Sequence, residues 1–432
     1  MAVATALSKP VCQRQAHAPD TPVRIILALL ALRWLAGIAE NFGIPAISEV
    51  SAIFMTGCLL FGFLQGMRLS VRSKMLVVGL LAWMFAAILS VAANGVGDVD
   101  SMALLALLAL YALFANATAC YISDLSALYA IQRFLRAFVL VGAALSIFQI
   151  AAGTGFVEAG DIDILRAFGS DVHPVSFAIQ MVAAIVGLEI IRIKRRAPLS
   201  GSYLVLFGFG LLALYLTYAR TAWVMLALSA GITVFLRTSP TRRILMVAAV
   251  ALAGIALTQM SGRFSDLSSL PFFLQNFSVS DAVFDYRYVD NSVSWRIVNW
   301  SLGFQQAIEQ PWLGFGAGQS ATSSHFQLEM HNMFLETFFE GGIVGFLAFL
   351  IVLAGILRMH RSLPNATPAD QHARLLAGGY GISLLLAVTF STSFVDQLMS
   401  VLLYLLILGA TGVPAAGNQP LAASRRPAML LA

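Results

Sequence analysis

Three arginines and one histidine are the residues of this chain best suited to chemistry on a charged substrate: Arg166, Arg220, Arg296 and His331. A guanidinium stays charged, and its planar fork bonds two phosphate oxygens at once, which suits a diphosphate at a lipid surface. His331 comes just before a long apolar run, and the N-terminus of a helix there favours a neutral imidazole, which accepts a proton. The residue types predict anion binding by the arginines and proton abstraction by the histidine.

Asn332 and Glu336 follow the histidine and are four residues apart, so on a helix they share a face. We expect them to orient His331 or to hold a hydroxyl of the substrate. The alternative is that residues 331–336 only cap a helix at the membrane interface. For each arginine, the alternative is that it reaches lipid headgroups or pairs with one of the outer carboxylates.

Membrane helices are the elements that must position these residues. The chain has 432 residues, 59% hydrophobic and 11% charged, against about 25% charged residues in an ordinary soluble domain. Its basic residues are scattered through apolar sequence, so they do not indicate nucleic-acid binding. Twelve apolar runs have about the length of a membrane span, which predicts an all-α polytopic integral membrane protein. The runs are 23–39, 46–67, 75–93, 101–119, 134–153, 173–191, 202–218, 221–236, 244–260, 333–357, 374–392 and 396–413.

The region around Arg220 needs a turn. Residues 203–236 are almost continuously apolar, and as one helix they would be about 51 Å long, against a hydrocarbon core of about 30 Å. Two helices joined by a tight turn near Arg220 are therefore predicted, which places this arginine at a membrane face.

The basic residues predict the orientation of the chain. With the N-terminus in the cytoplasm, 20 of the 26 lysines and arginines face the cytoplasm, as the positive-inside rule requires. Both termini are then cytoplasmic. The predicted segments are a cytoplasmic tail (1–22), transmembrane helices 1–9 (23–260), a large outer loop (261–332), transmembrane helices 10–12 (333–413) and a second cytoplasmic tail (414–432).

The outer loop between the ninth and tenth spans is the natural place for an active site, because loops of this length are usually functional or disordered. Its residues 311–318 read Pro-Trp-Leu-Gly-Phe-Gly-Ala-Gly. Glycines permit left-handed turns and close backbone approach, so this glycine loop either cradles an anion or turns the chain.

A family resemblance rests on the order of these features. Arg220-Thr221 at a hairpin, Arg296 with Trp300 four residues later, the Pro-Trp-Leu-Gly-Phe-Gly run and then His-Asn-x-x-Leu from His331 resemble the bacterial O-antigen ligase and polysaccharide polymerase superfamily. The resemblance is specific mainly over residues 215–345, and residues 166–174 resemble a weaker upstream motif.

This resemblance implies a membrane-embedded glycosyltransferase at the periplasmic face of the bacterial inner membrane. Its donor would be an oligosaccharide on undecaprenyl diphosphate, with no cofactor, nucleotide sugar or metal. Arg220 and Arg296 match the arginines that bind the donor diphosphate, with Arg166 a third, and His331 matches the essential histidine. The donor already has a good leaving group, so the enzyme must stabilise the charge that develops on it and deprotonate an acceptor hydroxyl.

Three alternatives concern the acceptor, the metal and the class of protein. We favour a lipid-linked glycan repeat as acceptor, which makes a polysaccharide polymerase; lipid A core as acceptor would make an O-antigen ligase. The Asp-x-Asp pairs at 98–100 and 161–163 have a form that holds divalent ions in many glycosyltransferases, although neither shows a third ligand in sequence. A polytopic transporter is the third hypothesis, disfavoured because the non-cytoplasmic charges collect at the outer face rather than at mid-membrane.

Overall fold

The computed structural model describes residues 21–44, 47–156, 165–171, 173–237, 292–390 and 397–416. Within these ranges the protein is helical. The helices are α1 (Thr21–Asn41), α2 (Ile47–Leu64), α3 (Lys74–Asn94), α4 (Val99–Tyr121), α5 (Leu125–Ala151), α6 (Pro174–Lys194), α7 (Gly201–Thr217), α8 (Arg220–Arg237), α9 (Ser292–Ala307), α10 (Ser320–Ser323), α11 (Met333–Arg361), α12 (Pro368–Phe390) and α13 (Leu398–Thr411).

The all-α membrane architecture is confirmed. In the described ranges, seven helices (α1, α3 to α6, α11 and α12) are long and apolar enough to cross a membrane, and α2, α7, α8 and α13 contain shorter apolar helices. Eleven of the twelve predicted runs thus coincide with an apolar helix. The remaining run, 244–260, lies outside the described residues, as does the first part of the outer loop, 261–291. The sidedness of the loops and tails stays a prediction.

Three predicted boundaries differ by four residues or more, because polar residues extend the helices past their apolar runs. One of them is the start of α12, which was expected at 374 and lies at Pro368. The fifth run was expected to begin at 134, but α5 begins at Leu125, where Asp124 caps it by accepting a hydrogen bond from the Ala127 amide at 2.9 Å. The tenth run was expected to end at 357, but α11 continues to Arg361.

The bundle forms around α6, whose side chains are buried on nearly every side. A second tight contact holds α11, the helix that follows His331, against α3. A Cβ on Gly79 of α3 would lie 2.8 Å from the Val352 nitrogen, and one on Gly355 of α11 would lie 2.5 Å from Leu76 Cα. Glycines at both crossings let the two backbones approach closely, which is the usual way that membrane helices pack.

The predicted turn before Arg220 is confirmed. Helix α7 ends at Thr217, Tyr218 takes a left-handed conformation with φ of 51°, and α8 begins at Arg220. The turn places Arg220 on the first turn of α8 with an exposed side chain.

Candidate active site

His331 lies just outside the N-terminus of α11. Its backbone is left-handed, with φ of 48°, and Asn332 caps the helix by accepting hydrogen bonds from the amides of Phe334 and Leu335 at 3.2 Å each. The oxygen of Asn332 is therefore committed to the helix, which is the capping role that the sequence left open as the alternative. The cap fixes where the chain, and with it His331, leaves the helix.

Helix α9 holds the residues before His331. The indole nitrogen of Trp300 donates to the Met330 carbonyl at 2.7 Å, and Asn299 Nδ2 donates to the Glu329 carbonyl at 3.0 Å. Arg296 lies one turn before Trp300 on the same face of the helix. Arg296 therefore lies on the face of α9 that also holds the backbone just before His331. The sequence suggested the arginine but did not show that Asn299 and Trp300 clamp the histidine segment.

Burial, together with the nearby charges of Arg296 and His173, lowers the pKa of His331 to about 4. At neutral pH the imidazole is therefore uncharged, whereas its role as proton acceptor stays a prediction. The cause differs from the prediction, which relied on the helix N-terminus, since loss of water around the ring comes first and the neighbouring cations second.

His173 is a site residue that sequence reasoning missed. It caps α6 through its Nδ1, which accepts a hydrogen bond from the Val175 amide at 3.2 Å. Its ring lies edge-on to Phe156, with centroids 5.4 Å apart, and it interacts electrostatically with His331. Histidine followed by proline before an apolar run is a helix-start pattern, and the only other signal in the sequence was the weaker upstream motif at residues 166–174.

Arg166 is buried beside the turn that precedes Arg220. Its Nε donates to the Thr217 carbonyl at 3.0 Å, and the next residue, Ala167, donates its amide to the Leu216 carbonyl at 2.9 Å. The structure therefore brings Arg166 close to the start of α8, where one of its donors supports the α7–α8 turn.

Phe156 connects the two groups of predicted site residues. Its backbone pairs with that of Arg166 through two hydrogen bonds of 2.8 and 2.9 Å, and its ring contacts His173. One group, Arg296 and His331 with His173, is thereby joined to the other, in which Arg166 supports the turn before Arg220.

Glu336 faces the glycine loop and α10. Its Oε1 accepts a hydrogen bond from the Ser320 hydroxyl at 2.9 Å, and Glu340, one turn later, accepts one from the Ser320 amide at 3.1 Å. Both carboxylates are buried. Glu340 also accepts a hydrogen bond from the Gly318 amide. The acceptors that this loop contacts are therefore the protein's own carboxyl groups.

The glycine loop turns the chain and closes onto a break in α11. Gly314, Gly316 and Gly318 all have positive φ, at 65°, 117° and 76°. Helix α11 is interrupted at Gly342, with φ of 59° and ψ of −158°. The carbonyls around the break are used by the loop, since the Phe315 and Gly316 amides donate to Phe339 and Glu340 at 2.9 and 3.1 Å. Of the two interpretations of the loop, the structure favours the turn.

Substitution of Gly342 tests the packing of α11 against the glycine loop. A Cβ on Gly342 would lie 2.3 Å from the backbone carbon of Trp312, whereas one on Gly341 would meet nothing within 4 Å. We expect Gly342→Ala to destabilise the protein by about 1–2 kcal/mol through its left-handed backbone and by about 1–3 kcal/mol through overpacking. Gly341→Ala is the matched control, and thermal unfolding in detergent measures both. Equal melting temperatures for the two variants would contradict the assigned packing.

One of the two Asp-x-Asp pairs, at 98–100, lies among the described residues. Asp98 caps α4, with its Oδ1 accepting from the Ser101 amide at 2.9 Å and its Oδ2 accepting from Gln319. These bonds, the Ser101 amide first, hold the pKa of Asp98 below its ordinary value. In the part of the chain that the structure describes, no three His, Cys, Asp or Glu side chains form a group that could hold a metal ion. The pair at 161–163 lies outside that part.

An apolar cavity of about 350 Å³ lies next to the site, between α3, α11, α12 and α13. Met333, two residues after His331, lines it together with side chains of α11 from Phe349 to His360. Because α11 is interrupted at Gly342, its first turns lie beside later ones, and the rings of Phe334 and Phe349 are 5.4 Å apart. The walls of the cavity are mostly aliphatic and aromatic, so it suits a hydrocarbon chain and not a polar solute.

Comparison with known proteins identifies one region. Residues 203–350 match the family described as O-antigen ligase. The match includes Arg220, Arg296 and His331, whereas Arg166 and His173 precede it. No curated protein and no solved structure matches the chain.

Proposed function

The chain belongs to the O-antigen ligase and polysaccharide polymerase superfamily, and from this premise we propose that it is a polysaccharide polymerase. It transfers an oligosaccharide from undecaprenyl diphosphate to a hydroxyl of a lipid-linked acceptor repeat. The reaction takes place at the periplasmic face of the inner membrane, in the assembly of an exopolysaccharide, a capsule or O-antigen.

The observation that carries this proposal is the placement of Arg296 and His331 by one helix. Arg296 lies on the α9 face whose Trp300 holds the Met330 carbonyl next to His331, and the imidazole is uncharged at neutral pH. A fixed cation beside a neutral base is the pair of groups that transfer from a diphosphate-activated donor requires.

In the reaction, His331 takes the proton of the acceptor hydroxyl while the oxygen of that hydroxyl attacks the anomeric carbon of the donor sugar. The bond from that carbon to the phosphate oxygen breaks, and the diphosphate leaves with the electron pair. Arg296 and Arg220 stabilise the charge that develops on the diphosphate, with Arg166 nearby. Attack from the face opposite the leaving group inverts the anomeric centre, and this chemistry needs neither a metal nor a cofactor.

The apolar cavity along α11 supports a lipid-linked donor. A diphosphate bound near Arg296 and His331 would place the first isoprene units close to Met333, which lines the cavity. A nucleotide sugar would leave this cavity without a role.

The pH dependence of transfer follows from the His331 environment. Because the pKa in the free protein is lowered to about 4, kcat/KM should stay constant from neutral pH down to about 5 and then fall as the imidazole becomes protonated. Bound diphosphate offsets the Arg296 charge, so the acidic limb of kcat should lie at higher pH than that of kcat/KM. Steady-state rates between pH 4 and 8 measure both, and an acidic limb of kcat/KM near 6.5 would contradict the assigned environment.

An O-antigen ligase is the second candidate, because the family description names that activity. The experiment supplies a host with both lipid-linked repeats and lipid A core and compares wild type with His331→Ala and Arg220→Ala at equal membrane abundance. Long glycans on the lipid carrier that are lost in both variants support the polymerase. Glycans on lipid A core would show the ligase, and unchanged products in the variants would reject the assigned site and favour a transporter.

A further inference from the structure

Three large apolar side chains follow one another along an exposed edge of α9 and the turn after it. Phe304, Ile308 and Trp312 are four residues apart and are 54%, 53% and 69% exposed. We name these three residues the outer ridge. Gln305 on α9 and Glu309 in the turn after it, each directly following a ridge residue in the chain, are also exposed. Exposed apolar patches of this kind usually mark a contact with another molecule or a membrane.

The side of α9 that adjoins the ridge faces the active site. Trp300 and Asn299 bond to the segment before His331, and Ala307 is fully buried. Helix α9 therefore has a face toward the site, an apolar flank and a polar flank. A helix with this distribution is typical of one that lies in the plane of a membrane interface.

The outer ridge is continuous with the lipid-facing surface of α11. The amides of Ile343 and Val344 donate to the carbonyls of Pro311 and Trp312 at 2.7 and 3.3 Å. Ile343, Val344 and Leu347 are 37%, 38% and 54% exposed on a helix long and apolar enough to span the membrane. Apolar side chains exposed on a span face lipid, and the ridge begins where this surface reaches its outer end.

A ring contact joins the ridge to the same helix. Phe304 lies 6.3 Å from Phe338, measured between ring centroids, and Phe338 belongs to the first turns of α11. Aromatic side chains, tryptophan above all, prefer the boundary between hydrocarbon and headgroups. The composition of the ridge thus fits the depth at which its contacts with α11 place it.

We propose that the outer ridge inserts into the outer leaflet of the membrane and holds α9 in the plane of the headgroups. The occupant of the exposed surface is lipid. Helix α9 carries Arg296, so the insertion fixes this arginine at the height of a lipid-borne phosphate. The insertion itself stands without the proposed function, and only its consequence for a lipid-linked donor rests on it.

Depth measurements test the insertion directly. The full chain is freed of its three cysteines and given single nitroxide labels at Phe304→Cys, Ile308→Cys or Trp312→Cys, with Gln305→Cys and Glu309→Cys as matched controls. The protein is reconstituted into vesicles of phosphatidylethanolamine and phosphatidylglycerol. Accessibility of each label to oxygen and to a water-soluble nickel complex gives its depth.

We expect the ridge labels to be accessible to oxygen and protected from nickel, and the control labels to be accessible to nickel. Ridge labels as accessible to nickel as the controls would overturn the proposal. Protection from both reagents would also overturn it, because the ridge would then be covered by another part of the chain or by a second copy. Shielding that appears only with added glycan would instead identify a sugar-binding surface.

A kinetic comparison tests the consequence separately. Phe304→Ser with Ile308→Ser should raise the KM for the lipid-linked donor about tenfold with little change in kcat, because the chemical groups stay in place. Phe304→Leu with Ile308→Leu keeps the apolar flank and should restore the KM. A fall in kcat with an unchanged KM would contradict the positioning role. If the wild type showed no transfer, the depth result would still stand and only the proposed function would fail.

Discussion

Replacement of His331 by glutamine is expected to lower the rate of glycosyl transfer about 100- to 10,000-fold, the usual contribution of a positioned general base. Glutamine has a similar size and donates a hydrogen bond but does not accept a proton from a hydroxyl. The hydrogen bonds from Asn299 and Trp300 of α9 end on the backbone carbonyls of residues 329 and 330 and not on the imidazole. The variant should therefore fold and bind the donor, and the loss should appear in kcat.

The matched control for this variant is His325→Gln. His325 lies in the same outer segment, six residues before His331, and is exposed. Rates are compared at equal amounts of protein in membranes, with donor binding measured separately. A His331→Gln variant that keeps more than a tenth of the wild-type rate, or a His325→Gln variant that loses as much, would reject the assigned base.

Replacement of Arg296 by alanine is expected to lower the rate about 100- to 1000-fold, the typical effect of removing one group that stabilises a developing anion. Arg296→Lys should recover only part of it, because an ammonium lacks the fork that bonds two phosphate oxygens. Arg296→Ala should also raise the pKa of His331, since the Arg296 charge lowers that pKa. The acidic limb of kcat/KM in this variant should therefore move to higher pH.

This shift separates a direct role of Arg296 from a structural one. Arg361→Ala, at the far end of α11 and exposed, is the control and should change neither the rate nor the pH profile. An Arg296→Ala variant whose rate falls while the pH limb stays in place would show that the arginine does not act near His331.

The elements of the fold follow from local properties of the sequence. Apolar runs must be near 20 residues because the hydrocarbon core has a fixed thickness, so α1 to α8 and α11 to α13 were predictable in number and place. The turn before Arg220 followed from the same limit, because 34 apolar residues are too many for one span. The boundaries moved by up to nine residues, as at Asp124, which caps α5 well before the predicted start at 134.

The site depends on contacts between distant parts of the chain, which periodicity does not reveal. The bond from Trp300 to Met330 and the interaction of His173 with His331 join segments 30 and 158 residues apart. The break of α11 at Gly342 likewise depends on a distant segment, because the carbonyls just before it accept hydrogen bonds from the amides of residues 315 and 316. The sequence named the arginines and the histidine but did not show what positions them.

Turnover of a defined substrate by the purified protein tests the central proposal most directly. The full chain is reconstituted in vesicles with a lipid-linked repeat as the only glycan, without nucleotide sugar and with a chelator present. We predict a ladder of longer lipid-linked glycans and the release of one undecaprenyl diphosphate for each repeat added. Repeats that cross the membrane without forming a new bond, or turnover that stops with the chelator, would contradict the account.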